Sequence, residues 1–312
     1  MTKRRPPPDT PSDAPFAVPG RAIRVDPGVA PVLPVVVSSP HSGRDYPPEF
    51  VALSRLDRDT LRRSEDSFVE ELFGDAPVAG APLLQALFPR AYCDPNREAY
   101  ELDPTMFADA LPDYVNTRSP RVAGGLGTIA RVVSVGHEIH SRKLTFAEAL
   151  ERIETCWRPY HEALSALLSG TLDRFGHAVL LDCHSMPSVG GWGDRDRGRH
   201  RPDVVLGNRH GTACAESVID TAAAILDAAG LRVVRNVPYA GGFNTQHYGR
   251  PAQGVHALQV EINRALYMDE LRFERTADFA RLRAVMDRLV RELGALDLGG
   301  TIEDEILPNA AE

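Results

Sequence analysis

Six short apolar runs, each closed by polar or turn-forming residues, constrain this chain more than any other feature. Residues 32–37 (VLPVVV) end at Ser38-Ser39-Pro40, and 82–87, 178–182, 203–206, 231–235 and 257–262 share the style. Runs this short and continuous suit strands covered on both faces rather than a half-wet sheet. Helical patterns lie between them. Thr145-Phe146-Ala147-Glu148 is a capping box, and Phe146, Leu150, Ile153, Trp157, Leu164 and Leu168 continue an apolar stripe. Pro159 should kink or restart that helix. Residues 61–73, 212–229 and 271–293 are the other long helical patterns. Strands alternating with helices, without repeats or a linker, predict one α/β domain over 19–312: a three-layer α/β/α sandwich around a mixed central sheet. A polar, Pro-rich stretch over 1–18 reads as a disordered tail.

Several function classes are excluded early. At 312 residues the chain can hide roughly three quarters of its unfolded surface. No run approaches the ~18 apolar residues of a membrane span, and the N-terminus lacks a signal-peptide apolar region. A formal charge of −8 argues against a nucleic-acid partner. Lysine occurs only at Lys3 and Lys143, so the arginine excess partly reflects genome composition and is weak evidence of anion binding. Cys93, Cys156, Cys183 and Cys214 show no CxxC spacing, which fits reduced thiols in a cytoplasmic protein. Residues 189–202 are Gly-rich and alternately charged. They read either as a solvated loop or as a lid, because they follow a strand end.

Chemistry gathers where strands end. His41 stands just past the 32–37 run and His184 just past 178–182, and in open α/β sheets ligands bind beyond the carboxyl ends of strands. Two histidines there suit a metal or an acid–base site, although a lone histidine is more often a structural hydrogen-bonding residue. Glu261 falls inside an apolar run. Burial would raise its pKa toward the range a general base needs, unless it is a structural partner of Arg264. The segment Arg90-Ala-Tyr-Cys-Asp94-Pro-Asn96-Arg97 offers a planar donor fork for a carboxylate.

Together these segments resemble the N-formylglutamate amidohydrolase family. The resemblance is carried by SSPHSG, SEDSFVEELF, PRAYCDPNR, GTIARVV, WRPYHEAL, LLDCHSMPS, PDVVLGNRHGTAC, YAGGFNTQHYGRP and HALQVEINRALYMDE, in order, over about residues 32–275. That family looks like a distant relative of the zinc carboxypeptidases and aspartoacylases. The resemblance implies His41 and His184 as zinc ligands and Glu261 as the catalytic carboxylate. It also implies Asn96-Arg97 as the substrate-binding pair. The wider group's HxxE pattern is absent, so the second ligand is assigned to Asp66, with Glu65 and Asp45 as alternatives. His140 departs from the pattern, where relatives are expected to carry an aromatic.

The implied reaction is zinc-dependent hydrolysis of N-formyl-L-glutamate to formate and glutamate, as in histidine degradation. Zinc with an open position can activate water and polarise the carbonyl, while Glu261 moves the proton. Arg97 could stabilise an oxyanion or hold a carboxylate; Arg131, Arg250 and Arg264 are further candidates for a small N-acyl amino acid. Hydrolysis of another N-acyl amino acid, a thiol hydrolase built on Cys183, and a non-catalytic metal- or solute-binding relative are the competing readings. Strand alternation turns Cys183 away from His184, and His137 and His140 are three apart, not the four of HExxH. His161 and His210 read as structural or surface residues, and His247 as a weaker pocket-lining candidate.

Overall fold

The computed structural model describes residues 22–28, 31–133, 136–191 and 196–299; the tail expected over 1–18 lies outside them. Seven strands form one sheet: β1 (Ile23–Asp26), β2 (Val35–Ser39), β3 (Leu83–Ala86), β4 (Ala178–Met186), β5 (Val204–Gly207), β6 (Val233–Arg235) and β7 (Val255–Asn263). Their spatial order is β1-β3-β2-β4-β7-β5-β6. Pairs β1/β3 and β5/β7 are antiparallel and the others parallel, so the sheet is mixed. The three central strands β2, β4 and β7 run the same way; β4 and β7 end together at Met186 and Asn263, and β2 stops short of them at Ser39. β6 is a half-exposed edge strand, shorter than the 231–235 pattern and not covered on both faces.

Helices cover both faces. One side carries α2 (Val69–Leu72), α5 (Glu216–Ala228) and α7 (Phe279–Gly294), packed on Val179, Leu181, Cys183, Leu258, Val260 and Ile262. Each fully buried aliphatic side chain contributes roughly 1.5–3 kcal/mol. On the other side lie α3 (Phe146–Arg152), a π-helical turn (Ile153–Trp157), α4 (Arg158–Phe175) and the short α6 (Phe243–Tyr248), packed on the layer of Val36, Leu84, Leu180 and Ala257. The capping box at Thr145 is made in both directions. Pro159 is the second residue of α4, directly after the π-helical turn, which lies where a proline's missing N–H would interrupt the α-helical ladder.

Two helical patterns are interrupted. Residues 61–73 do not form one helix: α1 (Arg58–Arg62) stops, and Phe68, in a left-handed conformation with φ 67°, precedes α2. Between them the Asp66 N–H donates to the His41 carbonyl at 3.0 Å, a tertiary contact that no helical periodicity encodes. Residues 271–293 are likewise helical only from Phe279. Ahead of that helix the Asp269 carboxylate accepts from the N–H groups of Leu271 and Arg272 (2.9 and 3.0 Å), closing a hairpin of Met268–Asp269 with Glu274–Arg275.

Candidate active site

Alternation along the central strands builds the site. Leu180, Asp182 and His184 share one face of β4, as do Ala257, Gln259 and Glu261 on β7. The parallel register sets His184 beside Glu261 and Asp182 beside Gln259. His41 follows β2, and Asp66 is delivered by the break between α1 and α2. His41 Nδ1, His184 Nδ1 and Asp66 Oδ2 converge: the nitrogens are 3.1 Å apart, and the carboxylate oxygen lies 3.3 and 3.2 Å from them.

The donor set fits a small dication. A tetrahedral ion bound by N and O donors at about 2.0–2.2 Å separates them by about 3.3–3.5 Å, close to the observed triangle. The outer nitrogens face acids. His41 Nε2 meets Asp94 Oδ1 at 2.7 Å, an arrangement that leaves the Nδ1 lone pair turned inward. His184 Nε2 lies 3.1 Å from Asp182 Oδ2, an oxygen otherwise orphaned in the core, though off the line of a good hydrogen bond. Asn96 Nδ2 approaches the same nitrogen at 3.2 Å. Burial would depress the His184 pKa, yet Asp182, Asp66 and Glu261 lift it well above the usual imidazole value. A field that favours a proton there favours a metal cation equally.

Asp66 is oriented from behind. Arg264 Nη2 and Ser185 Oγ donate to its Oδ1 at 3.0 and 3.2 Å, which turns Oδ2 toward the imidazoles. Burial opposes its ionisation, but His184, His41 and Arg264 hold the Asp66 pKa well below the carboxylate range. Asp94 is likewise held down against burial by Arg97, His41 and Arg90. Glu261 is different. Burial, with Asp66 adding to it against the opposing His184, pushes it up to about 7. Gln259 Nε2 donates to its Oε1 at 3.0 Å, and Oε2 has no hydrogen-bond partner among the described residues.

These groups line a cavity of about 500 Å³. Asn96 and Arg97 are there: Asn96 Oδ1 accepts from the Asn244 N–H at 2.8 Å, and Arg97 donates to the carbonyls of Leu126 and Asn96. Burial, only partly opposed by Asp94, lowers the Arg97 pKa to about 10. Arg264 lines the cavity but is committed to Asp66 and Ser185. Arg131 is not among the lining residues and pairs with Asp103 at 2.8 Å. Arg250 and His247 line a separate cavity with Glu98 and Glu101. Of the alternative ligands, Glu65 is buried against Tyr46, Arg62 and Ser67, and Asp45 is exposed; neither joins the triangle.

The competing thiol fails on placement. Cys183 is fully buried on the opposite face, its thiol donates to the Leu181 carbonyl, and burial pushes its pKa well up. His161 is structural, bonded to Tyr248 Oη and the Pro95 carbonyl, with its pKa lowered by burial to about 3. His140 packs beside Phe50 and meets the carbonyl of the wall residue Ala130 at 3.1 Å, but does not itself line the cavity. The flanks of the 189–202 loop pair with each other, Gly190 with Arg199 and Ser188 with Arg201, and Arg201 reaches the cavity wall. Sequence reasoning missed Asp182 and Gln259, although each lies two residues before a named site residue and so on the same strand face. It also missed Arg63, Arg121, Arg201 and Arg209 at the wall, which composition had made indistinguishable from other arginines.

The chain is similar to known proteins of one family. A model of the N-formylglutamate amidohydrolase family matches residues 33–268. The N-formylglutamate deformylase of Pseudomonas aeruginosa is 30% identical over 267 residues, covering 84% of this chain and 92% of that protein. The deformylase of Pseudomonas putida is 28% identical over 254 residues, covering 76% and 83%. The crystal structure of N-formylglutamate amidohydrolase from Ralstonia eutropha superposes with a TM-score of 0.81 at 35% identity, covering 88% of this chain and 97% of that one. With a sheet that ends in this site and a match spanning most of its length, the chain belongs to the N-formylglutamate amidohydrolase family.

Proposed function

We propose that this chain, acting as a single domain over 19–312, is a zinc-dependent hydrolase of N-formyl-L-glutamate. The observation that carries the reading is the His41–Asp66–His184 triangle beside Glu261, at the wall of an arginine-lined cavity. The names of the relatives support the substrate. Buried free cysteines fit a cytoplasmic setting, and the reaction suits a step of histidine degradation.

Zinc on these three donors would polarise the formyl oxygen and make water nucleophilic near neutral pH. Asp94 and Asp182 orient the two imidazoles, and Arg264 with Ser185 aims Asp66. Glu261 takes a proton from the attacking water and delivers it to the amide nitrogen as the C–N bond breaks. One water is consumed, giving formate and the free amine of glutamate. Asn96 and Arg97 hold the substrate's α-carboxylate next to the reacting carbon.

Release of the free amino acid from N-formyl and N-acetyl amino acids, with zinc content measured on the same samples, tests this. Activity should be highest on N-formyl-L-glutamate, vanish on chelation, return with about one zinc per chain, and survive iodoacetamide. Activity that persists without metal, or is lost to the thiol reagent, overturns the reading.

A further inference from the structure

An N-formyl glutamate carries a second carboxylate, and Asn96–Arg97 can hold only one. Of the arginines on the cavity wall, Arg90 is committed to Asp94, Arg264 to Asp66 and Arg201 to Asp196. Arg63 is exposed at the rim, and Arg121 is shared with the neighbouring cavity. Arg209 is held in a way none of these is. It and His210 are consecutive non-glycine residues in the left-handed region, with φ 54° and 57°. That conformation persists only where the surroundings over-determine it, and it gathers at functional sites.

The surroundings here do so. The Arg209 N–H donates to the Ala240 carbonyl at 2.7 Å, and Asn236 Oδ1 accepts from the N–H groups of Asn208 and His210. Asn208 and Asn236 also bond side chain to side chain at 3.0 Å. The guanidinium then lies along Gly241, bonding its carbonyl at 3.3 Å, with no carboxylate partner among the described residues. Gly241 and Gly242 make this approach feasible. A Cβ on Gly241 would stand 3.0 Å from Arg209 Cδ, and one on Gly242 would stand 2.3 Å from Asn96 Nδ2. Consecutive glycines thus place the uncommitted cation and the substrate-binding Asn96 side by side on one wall.

We infer that Arg209 reads the side-chain carboxylate of the substrate and makes the site selective for N-formyl amino acids with an acidic side chain. The inference rests on the deformylase reading above. Its test compares N-formyl-L-glutamate with N-formyl-L-glutamine in the zinc-loaded protein and in Arg209→Gln and Arg209→Lys. A charge-assisted contact predicts that Arg209→Gln loses about 10- to 100-fold more kcat/KM on the acid than on the amide, mostly through KM. Arg209→Lys, which keeps the charge on the same turn, should recover part of that discrimination. Equal losses on both substrates, or an unchanged preference, overturn the inference and leave the deformylase reading standing. If the wild type releases formate from neither substrate, that reading fails, and calorimetric binding of L-glutamate decides Arg209 separately. Binding at least about tenfold weaker in Arg209→Gln supports the role; equal binding, or none in either protein, overturns it.

Discussion

The two faces of the central sheet are built from the same strands and do opposite work. Toward α5 and α7, Val179, Leu181 and Cys183 on β4 meet Leu258, Val260 and Ile262 on β7, all fully buried. Toward α4, the same strands start apolar at Leu180 and Ala257, then turn to Asp182, His184, Gln259 and Glu261. Those four are also buried, at 8% exposure or less. Burying charge costs several kcal/mol per ion unless paired and hydrogen-bonded. The polar half of one face is therefore an energetic load that the apolar face offsets. Function sits where stability is lost, a few ångströms across the backbone from where it is generated.

Substitutions on the two faces should separate along that line, and the largest effect belongs to the polar one. Glu261→Gln should retain zinc while kcat falls by about 10²–10⁴; loss of the metal would make Glu261 a ligand, and full activity would remove it from the chemistry. Its stability effect has a definite sign. The Glu261 pKa is raised from 4.5 to about 7 by burial, so the folded chain keeps a proton that the unfolded chain releases. That contribution is complete below about 4.5 and is lost as pH rises through about 7. Denaturation of the metal-free proteins should show wild type losing stability over that window relative to Glu261→Gln; parallel pH profiles would contradict it.

Leu181→Ala tests the other face. It removes a fully buried side chain from the α5/α7 layer and should cost about 2–5 kcal/mol in denaturant unfolding. The molecules that remain folded should keep kcat near wild type. A kcat loss comparable to that of Glu261→Gln would mean the faces are not separable. Cys183→Ala is the mildest change, costing about 1 kcal/mol or less of stability, with activity retained. Loss of activity there would reinstate a thiol mechanism.

The parts of the site legible in the sequence are those carried by local pattern. Val35–Val37 ending at Ser38-Ser39 marks a strand with His41 just beyond its end, whereas the run before His184 marks a strand that continues through that histidine to Met186. Glu261 stands out because an acid in an apolar run needs a reason. Capping at Thr145 was readable because it closes within four residues. Asp66 was nameable only through family resemblance, since its neighbourhood mimics an uninterrupted helix.

What the sequence by itself determined is six of the sheet's seven strands (β1 was missed), their alternation, and hence which residues share a face, because those follow from backbone geometry over two to ten residues. Only the tertiary structure decided which acids reach the histidines and which arginines stay uncommitted. Asp66 arrives through a hydrogen bond to the His41 carbonyl, 25 positions back along the chain, and Arg209 through a turn braced by Asn236. Arg131, Arg250 and Arg209 look alike in sequence. Pairing with Asp103 withdraws the first, a separate cavity takes the second, and the Gly241–Gly242 step sets the third beside Asn96. Such assignments depend on distances between segments, which no local periodicity carries.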